Sequence, residues 1–226
     1  MNTISENRPS TDADAMHDAC FDLARGIAAY TASSLVAGLA RVIGRHPDAD
    51  IANAFNHKQV ASKRWACDKL FETLGGHYER IVIVGGWYGI LAAMLFDDPR
   101  FSPLRITSID IDAAVETVAR TLNQAAGARF DTMTADMYAV DYGALGADLV
   151  VNTSCEHIAD VAGWLARLPR GSRVLLQSND YFAEPTHINC VPSVEAFAGQ
   201  AKLASLQFAG GFRTKNYTRF MLIGAT

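Results

Sequence analysis

The stretch Ile81-Val82-Ile83-Val84-Gly85-Gly86-Trp87-Tyr88-Gly89-Ile90-Leu91-Ala92 decides how the rest of the chain is organised. Ile81 to Val84 are all β-branched and have no helical period, which suits a strand buried on both faces. Gly85, Gly86 and Gly89 follow, and an apolar helical run begins at Ile90. A strand that passes through a glycine-rich turn straight into a helix presents backbone N–H groups and a helix N-terminus to a ligand, with little side-chain bulk in the way. The same sequence also serves a tight strand-to-helix turn with no ligand, so the neighbouring segments have to decide.

Outward from this turn, β-rich runs recur at Ile106–Ile109, Phe130–Met133, Leu149–Val151 and Val174–Gln177, and most gaps hold helical patterns, at Ile90–Phe96, Ala113–Leu122 and Val161–Leu168. Strands that are continuously apolar and alternate with helices predict a parallel sheet covered on both faces. The end of the chain departs from this rhythm. Leu203–Ala209 and Tyr217–Ile223 read as two strands joined through a turn region at Gly210-Gly211, an antiparallel pair that finishes the sheet. The expected fold is α/β, with a doubly wound, mainly parallel seven-stranded sheet and a terminal antiparallel strand pair.

Upstream, residues 1–11 lack an apolar period and contain Pro9, which predicts a disordered lead-in. Met16, Cys20, Leu23, Ile27 and Tyr30 fall at helical spacing, and Leu35, Leu39, Val42 and Ile43 continue it until His46-Pro47, as one bent helix or two. A further helical pattern from Val60 to Leu74 stops at Gly75-Gly76. Residues 12–76 are therefore expected to form a helical lid on an α/β domain spanning 77–226.

Composition narrows the function. With 226 residues, of which 50% are hydrophobic and 19% charged, the chain can bury a core of its own. A net charge of -4, with no basic run longer than Lys63-Arg64, leaves no electrostatic footprint for nucleic acid. The most apolar stretch, Gly26 to Ala40, is too short and too polar to span a bilayer, so no membrane partner is expected. Cys20, Cys67, Cys155 and Cys190 show neither zinc-ligand nor disulfide-framework spacing, and the N-terminus has no signal-peptide pattern. A cytoplasmic location and no metal requirement follow as expectations.

The second strand ends in Ile109-Asp110-Ile111-Asp112, and a carboxylate at the tip of the strand beside a glycine-rich turn can accept both hydroxyls of a ribose. Asp110 suits that role, and Asp112 suits a cap on the helix that follows. After the third strand, Thr134-Ala135-Asp136-Met137 places Asp136 to accept an exocyclic amine and Met137 to pack on a flat ring.

Through VGGWYG, SIDID, TADM, DLVVNTS and the closing strand pair, residues 78–226 resemble the class I S-adenosylmethionine-dependent methyltransferase superfamily. The resemblance implies S-adenosyl-L-methionine as cofactor. Gly85, Gly86 and Gly89 would cradle its methionine portion, Asp110 its ribose and Asp136 its adenine. Tyr88, Ile111 and Met137 flank these positions as further cofactor contacts. Two departures put the methionine amine in question: Ile83 stands where the family usually has an acid, and Trp87 where it usually has glycine. Asn152 matches the family's polar position beside the sulfonium, although Thr-Ser-Cys follows it instead of Pro-Pro and an aromatic residue. Its amide could orient an attacking nucleophile, or it could simply form an Asx turn.

The remaining candidates are read from residue type. Glu156-His157 invites acid–base chemistry, but Glu156 equally suits the start of a helix beginning at Ser154 or Cys155, where the dipole favours an anion, and His157 could face inward or outward. Nothing in the sequence pairs Cys155 with a base. Asn179 and Tyr181 follow the fifth strand, where an acceptor pocket would lie. From the lid, Tyr30, His57, Lys63, Arg64 and Trp65 could close the pocket, bind a carboxylate or stack near a sulfonium, Lys63 serving the cofactor and Tyr30 catalysis. Three functions compete: methyl transfer to a small molecule, intramolecular cyclisation of S-adenosylmethionine to azetidine-2-carboxylate with release of methylthioadenosine, and a cofactor-binding partner subunit without turnover. A homodimer is compatible with each.

Overall fold

Seven strands form one sheet in a computed structural model that describes residues 12–226; the expected lead-in over 1–11 lies outside the described residues. The strands are β1 (His77–Val84), β2 (Ser102–Asp110), β3 (Phe130–Thr134), β4 (Leu149–Asn152), β5 (Arg173–Asn179), β6 (Ser205–Arg213) and β7 (Thr218–Ala225). Their order is β3-β2-β1-β4-β5-β7-β6, parallel throughout except that β7 runs antiparallel to both β5 and β6. The expected architecture is therefore present, and the order reverses between β1 and β4, where an open α/β sheet forms its ligand crevice.

The helices are α1 (Asp12–Thr31), α2 (Ser34–Arg45), α3 (Ile51–Ala54), α4 (His57–Leu74), α5 (Ile90–Asp97), α6 (Ala114–Leu122), α7 (Tyr142–Leu145), α8 (Val161–Leu165) and α9 (Val194–Ala201). Successive residues of β1 serve opposite layers, as the strand's period of two requires. Ile81 and Ile83 pack with Leu70 of α4 and with Leu91 and Leu95 of α5. Val82 and Val84 face Trp164 of α8, Phe197 of α9 and Tyr142 of α7. A third cluster joins Leu39 and Val42 of α2 to Ile90, Val118 and Leu122.

The N-terminal helical pattern resolves into two helices. Ala32, at φ 54°, breaks it, and Ser33 caps α2 by accepting from the Val36 N–H at 3.1 Å. Asn56 caps α4 by accepting from Lys58 and Gln59, and Gly75 ends that helix at φ 79°. Ala66, Cys67 and Leu70 of α4 are buried in the sheet core, so α4 belongs to the body of the domain while α1 packs outward on α2. One boundary moves. Gly210 and Gly211 lie inside β6, and the reversal falls at Thr214–Tyr217, where Thr214 N–H and Oγ1 both donate to the Tyr217 carbonyl. Glycine marked a turn in the sequence because it is permissive; here it is used in extended pairing.

Candidate active site

The chain leaves β1 through Gly85, whose φ of 66° favours glycine and whose missing Cβ would find nothing nearer than 4.0 Å. That open face is where a ligand can approach. Gly86 is needed for a different reason, because a Cβ there would lie 1.9 Å from Ser108 Oγ. The N–H groups of Gly85 and Gly86 both donate to the Ile109 carbonyl, at 2.9 and 3.1 Å, clamping the turn over the end of β2. Trp87 takes φ 47° in place of the usual glycine, and its N–H donates to Asp110 Oδ2 at 2.8 Å. Asp110 Oδ1 meanwhile accepts from the Asp112 N–H at 3.1 Å. One carboxylate thus holds both turns that flank the crevice, and each oxygen keeps acceptor capacity for a ligand hydroxyl.

Beside Asp110, Ile111 is 74% exposed, an apolar side chain standing at a strand tip. Asp136 is exposed, and its Oδ1 accepts from the Tyr138 N–H at 2.8 Å. Met137 is half-buried and packs onto the core below. Asp112 does what its position suggested and accepts from the Ala114 N–H at 2.8 Å. An open glycine face, a carboxylate at the β2 tip and apolar surface between β2 and β3 fit a nucleoside carrying a small polar arm.

The turn itself forms one side of a cavity of about 170 Å³, through Ile83, Gly85, Gly86, Trp87, Ile90 and Leu91. Gln59, Ser62 and Lys63 of α4 form another wall, while Thr153, Ser154, Glu156 and His157 follow β4, Gln177 lies in β5, His187 follows it and Arg219 lies in β7. Ser62 Oγ donates to Gln177 Oε1 at 3.2 Å, which ties α4 to the sheet. Glu156 and Arg219 are 2% and 7% exposed. Glu156 Oε1 accepts from Asn179 Nδ2 at 2.7 Å and from Arg219 Nη2 at 3.3 Å, and Arg219 Nη1 donates to the Thr153 carbonyl at 2.8 Å. Lys63 donates to Gln59 Oε1 at 2.7 Å. Burial of its ammonium, reinforced by Arg219 and opposed by Glu156, pulls its pKa down to about 7. The His157 and His187 rings meet edge-on with centroids 4.8 Å apart. Nδ1 of His157 faces the Thr186 carbonyl at 2.9 Å, and Nδ1 of His187 faces the Tyr181 carbonyl at 3.1 Å.

No protein-family model matches the sequence, and no curated protein matches it. Solved structures do match in three dimensions. The N-methyltransferase NodS from Bradyrhizobium japonicum WM9, in complex with S-adenosyl-L-homocysteine, superposes with a TM-score of 0.61 at 10% identity, over 85% of this chain and 98% of that one. A putative sarcosine dimethylglycine methyltransferase from Galdieria sulphuraria gives 0.54 at 10% identity, over 73% and 84%. The [4+2]-cyclase SpnF gives 0.53 at 17% identity, over 70% and 63%. The fold is that of the class I S-adenosylmethionine-dependent methyltransferases.

Within this methyltransferase fold the expected site residues divide. Gly85, Gly86, Gly89, Tyr88, Asp110, Ile111, Asp136 and Met137 surround the turn and the β2 and β3 tips, with Tyr88 stacked on Trp87 at 4.9 Å and leaning on the α2 cluster. Lys63 reaches the cavity. Asn152 does not: it is 2% exposed, its Oδ1 accepts from the Ser154 N–H at 2.8 Å in an Asx turn, and the cavity wall is made by the residues after it. Tyr30 is 91% exposed on α1, which packs on the outside of α2, and it does not line the cavity. Tyr181 stacks on Tyr217 at 5.4 Å behind His187 and holds that ring through its carbonyl. Arg64 and Trp65 face away from the cavity, Trp65 stacking on Phe212 at 5.6 Å, and His57 is exposed at the start of α4. Cys155 is fully buried with its thiol pKa pushed well up, which removes it as a nucleophile. Glu156 lies in the first turn of a short helix over Cys155–His157, as its position suggests, and is buried against Arg219. Arg219, Gln59, Ser62 and Gln177 carried no sequence signal; only the meeting of α4, β5 and β7 reveals them.

Proposed function

We propose that the protein transfers the methyl group of S-adenosylmethionine to a small acceptor held in the cavity beneath α4. The observation that carries this is the cavity itself. In a methyltransferase fold, a partly enclosed space is walled by ionisable side chains and by Gly85 and Gly86 of the glycine turn, and its volume of about 170 Å³ suits small groups rather than a macromolecule. A cytoplasmic setting and a role in small-molecule biosynthesis belong to the same proposal.

The bound cofactor supplies an electrophilic methyl on sulfur. The chain's part is positioning and charge. Gly85 admits the methionine portion, Asp110 accepts the ribose hydroxyls, Asp136 accepts the adenine amine, and Ile111 and Met137 pack on the ring. Because a backbone carbonyl can only accept, neutral His157 and His187 carry their protons on Nδ1, and each offers Nε2 as an acceptor for a proton leaving the nucleophile. An acceptor carboxylate placed at Lys63 raises the lysine pKa and restores its charge, so Lys63 recognises an acidic group. Asn152 is left with the structural task of shaping the strand end.

Calorimetry with S-adenosylmethionine and S-adenosylhomocysteine, followed by product analysis against a panel of small acidic acceptors, tests this. Binding, with S-adenosylhomocysteine formed only when an acceptor is present, is the expected result. No binding of either nucleoside overturns the proposal. Methylthioadenosine formed from S-adenosylmethionine alone would replace methyl transfer by cyclisation, and activity only on adding a second protein would make this chain a partner subunit.

A further inference from the structure

We propose that Glu156, His157 and His187 form a binding site for a divalent transition-metal ion, with ligand positions left open toward the cavity. Each residue offers one ligand atom, and the three atoms lie within 4.8 Å of one another. Glu156 is 2% exposed, yet its Oε2 has no hydrogen-bond partner among the described residues, while Oε1 takes both Asn179 and Arg219. A buried carboxylate oxygen without a partner is costly, and a cation beside it removes that cost.

The histidines are prepared in the same sense. Each presents Nδ1 to a backbone carbonyl, which fixes the neutral ring with its proton there and its lone pair on Nε2. Donation of the second ring nitrogen to a carbonyl is how metal-bound histidines are generally oriented. The loop carrying His187 is also strapped to Glu156, whose carbonyl accepts from Ile188 and Asn189 at 3.0 and 2.9 Å. Any ion drawn to the carboxylate therefore meets the second histidine without a large rearrangement. Ligand atoms on one ion stand roughly 3–3.5 Å apart, given metal–ligand bonds of about 2.0–2.2 Å, so binding contracts the cluster slightly.

Two imidazoles and one carboxylate select manganese, iron, cobalt or zinc over magnesium or calcium. Arg219 and Lys63 also face this site, and their positive charge makes the ion exchangeable rather than a permanent structural element. With the ion bound, Nε2 of each histidine is a ligand and no longer a proton acceptor, and the remaining coordination positions open into the cavity, where an acceptor's oxygen or nitrogen could bind.

The test uses the full chain without a histidine tag, stripped of metal and titrated with Co(II), followed by visible absorption, with Zn(II) competition and thermal melting alongside. The expected result is one Co(II) per chain, a d–d spectrum of nitrogen-containing ligation, a raised melting temperature, and at least tenfold weaker binding in His157→Ala and in His187→Ala. Neither substitution empties the core, so metal-free melting should match the parent, and this comparison does not depend on Glu156 tolerating change. Absence of binding, or binding equally strong in the double variant His157→Ala/His187→Ala, overturns the proposal. Neither cofactor nor turnover is needed, so failure here leaves the methyl-transfer proposal standing.

Discussion

The glycine turn and the cavity beside it touch the same strand ends but are built in opposite ways. The turn is local: the backbone N–H groups of Gly85, Gly86, Trp87 and Asp112 bond to the Ile109 carbonyl and the Asp110 carboxylate over two neighbouring strand tips. The cavity sets one face of that turn against α4, the segments after β4 and β5, and β5 and β7, and these distant parts are held by side chains, above all the buried Glu156–Arg219 pair. A site made of backbone survives most single substitutions around it, whereas one made of buried charges fails when one charge is lost.

The largest effect expected is on the cavity. Arg219→Ala leaves Glu156 buried without its cation and should lower stability by about 3–5 kcal/mol, measured by denaturant unfolding; restoring part of that loss by adding Glu156→Gln would confirm the pairing. If Arg219→Ala alone proves neutral, the two regions do not differ as described. Asp110→Ala attacks the other region. It removes the ribose acceptor and the lock on Trp87, and should weaken S-adenosylhomocysteine binding by about ten- to hundredfold, as loss of a charged hydrogen bond does.

Lys63 gives a pH-dependent comparison. In the unfolded chain it holds its proton up to the ordinary value of 10.5, whereas in the folded protein it releases it above about 7. Below pH 7 both states are charged and the fold bears the full cost of burying the ammonium. Between these values the unfolded state binds more protons, so the stability associated with this group rises with pH. Lys63→Met should therefore be more stable than the parent near pH 6, with the advantage shrinking by up to about 1.4 kcal/mol per pH unit above 7; a pH-independent difference would contradict the burial of the ammonium. Smallest of all is Tyr30→Ala, which should change stability by less than about 0.5 kcal/mol and leave cofactor binding unaltered.

Sequence revealed the first region and not the second for a physical reason. Strand, turn and carboxylate follow one another along the chain, so VGGWYG and SIDID could be located from residue type and order. Even there, the use of Asp110 to hold Trp87 depends on two turns meeting in space. Glu156 and Arg219 stand 63 residues apart, and Glu156 beside a histidine at a helix start looks like ordinary surface until β7 covers it. Asn152 shows why residue type alone leaves a choice: it occupies the strand-end position where a polar side chain can serve either a ligand or its own backbone, and in this structure its Oδ1 accepts from the Ser154 N–H. Tyr30 followed a helical period correctly, but periodicity does not say which helix reaches the crevice.

The most direct test of the account is a structure of the protein bound to S-adenosylhomocysteine. The ribose should lie on Asp110 and the adenine over Ile111 and Met137, with the thioether sulfur opening onto the cavity bounded by Lys63, His157 and His187. A nucleoside bound elsewhere, or a sulfur atom facing away from that cavity, would contradict it.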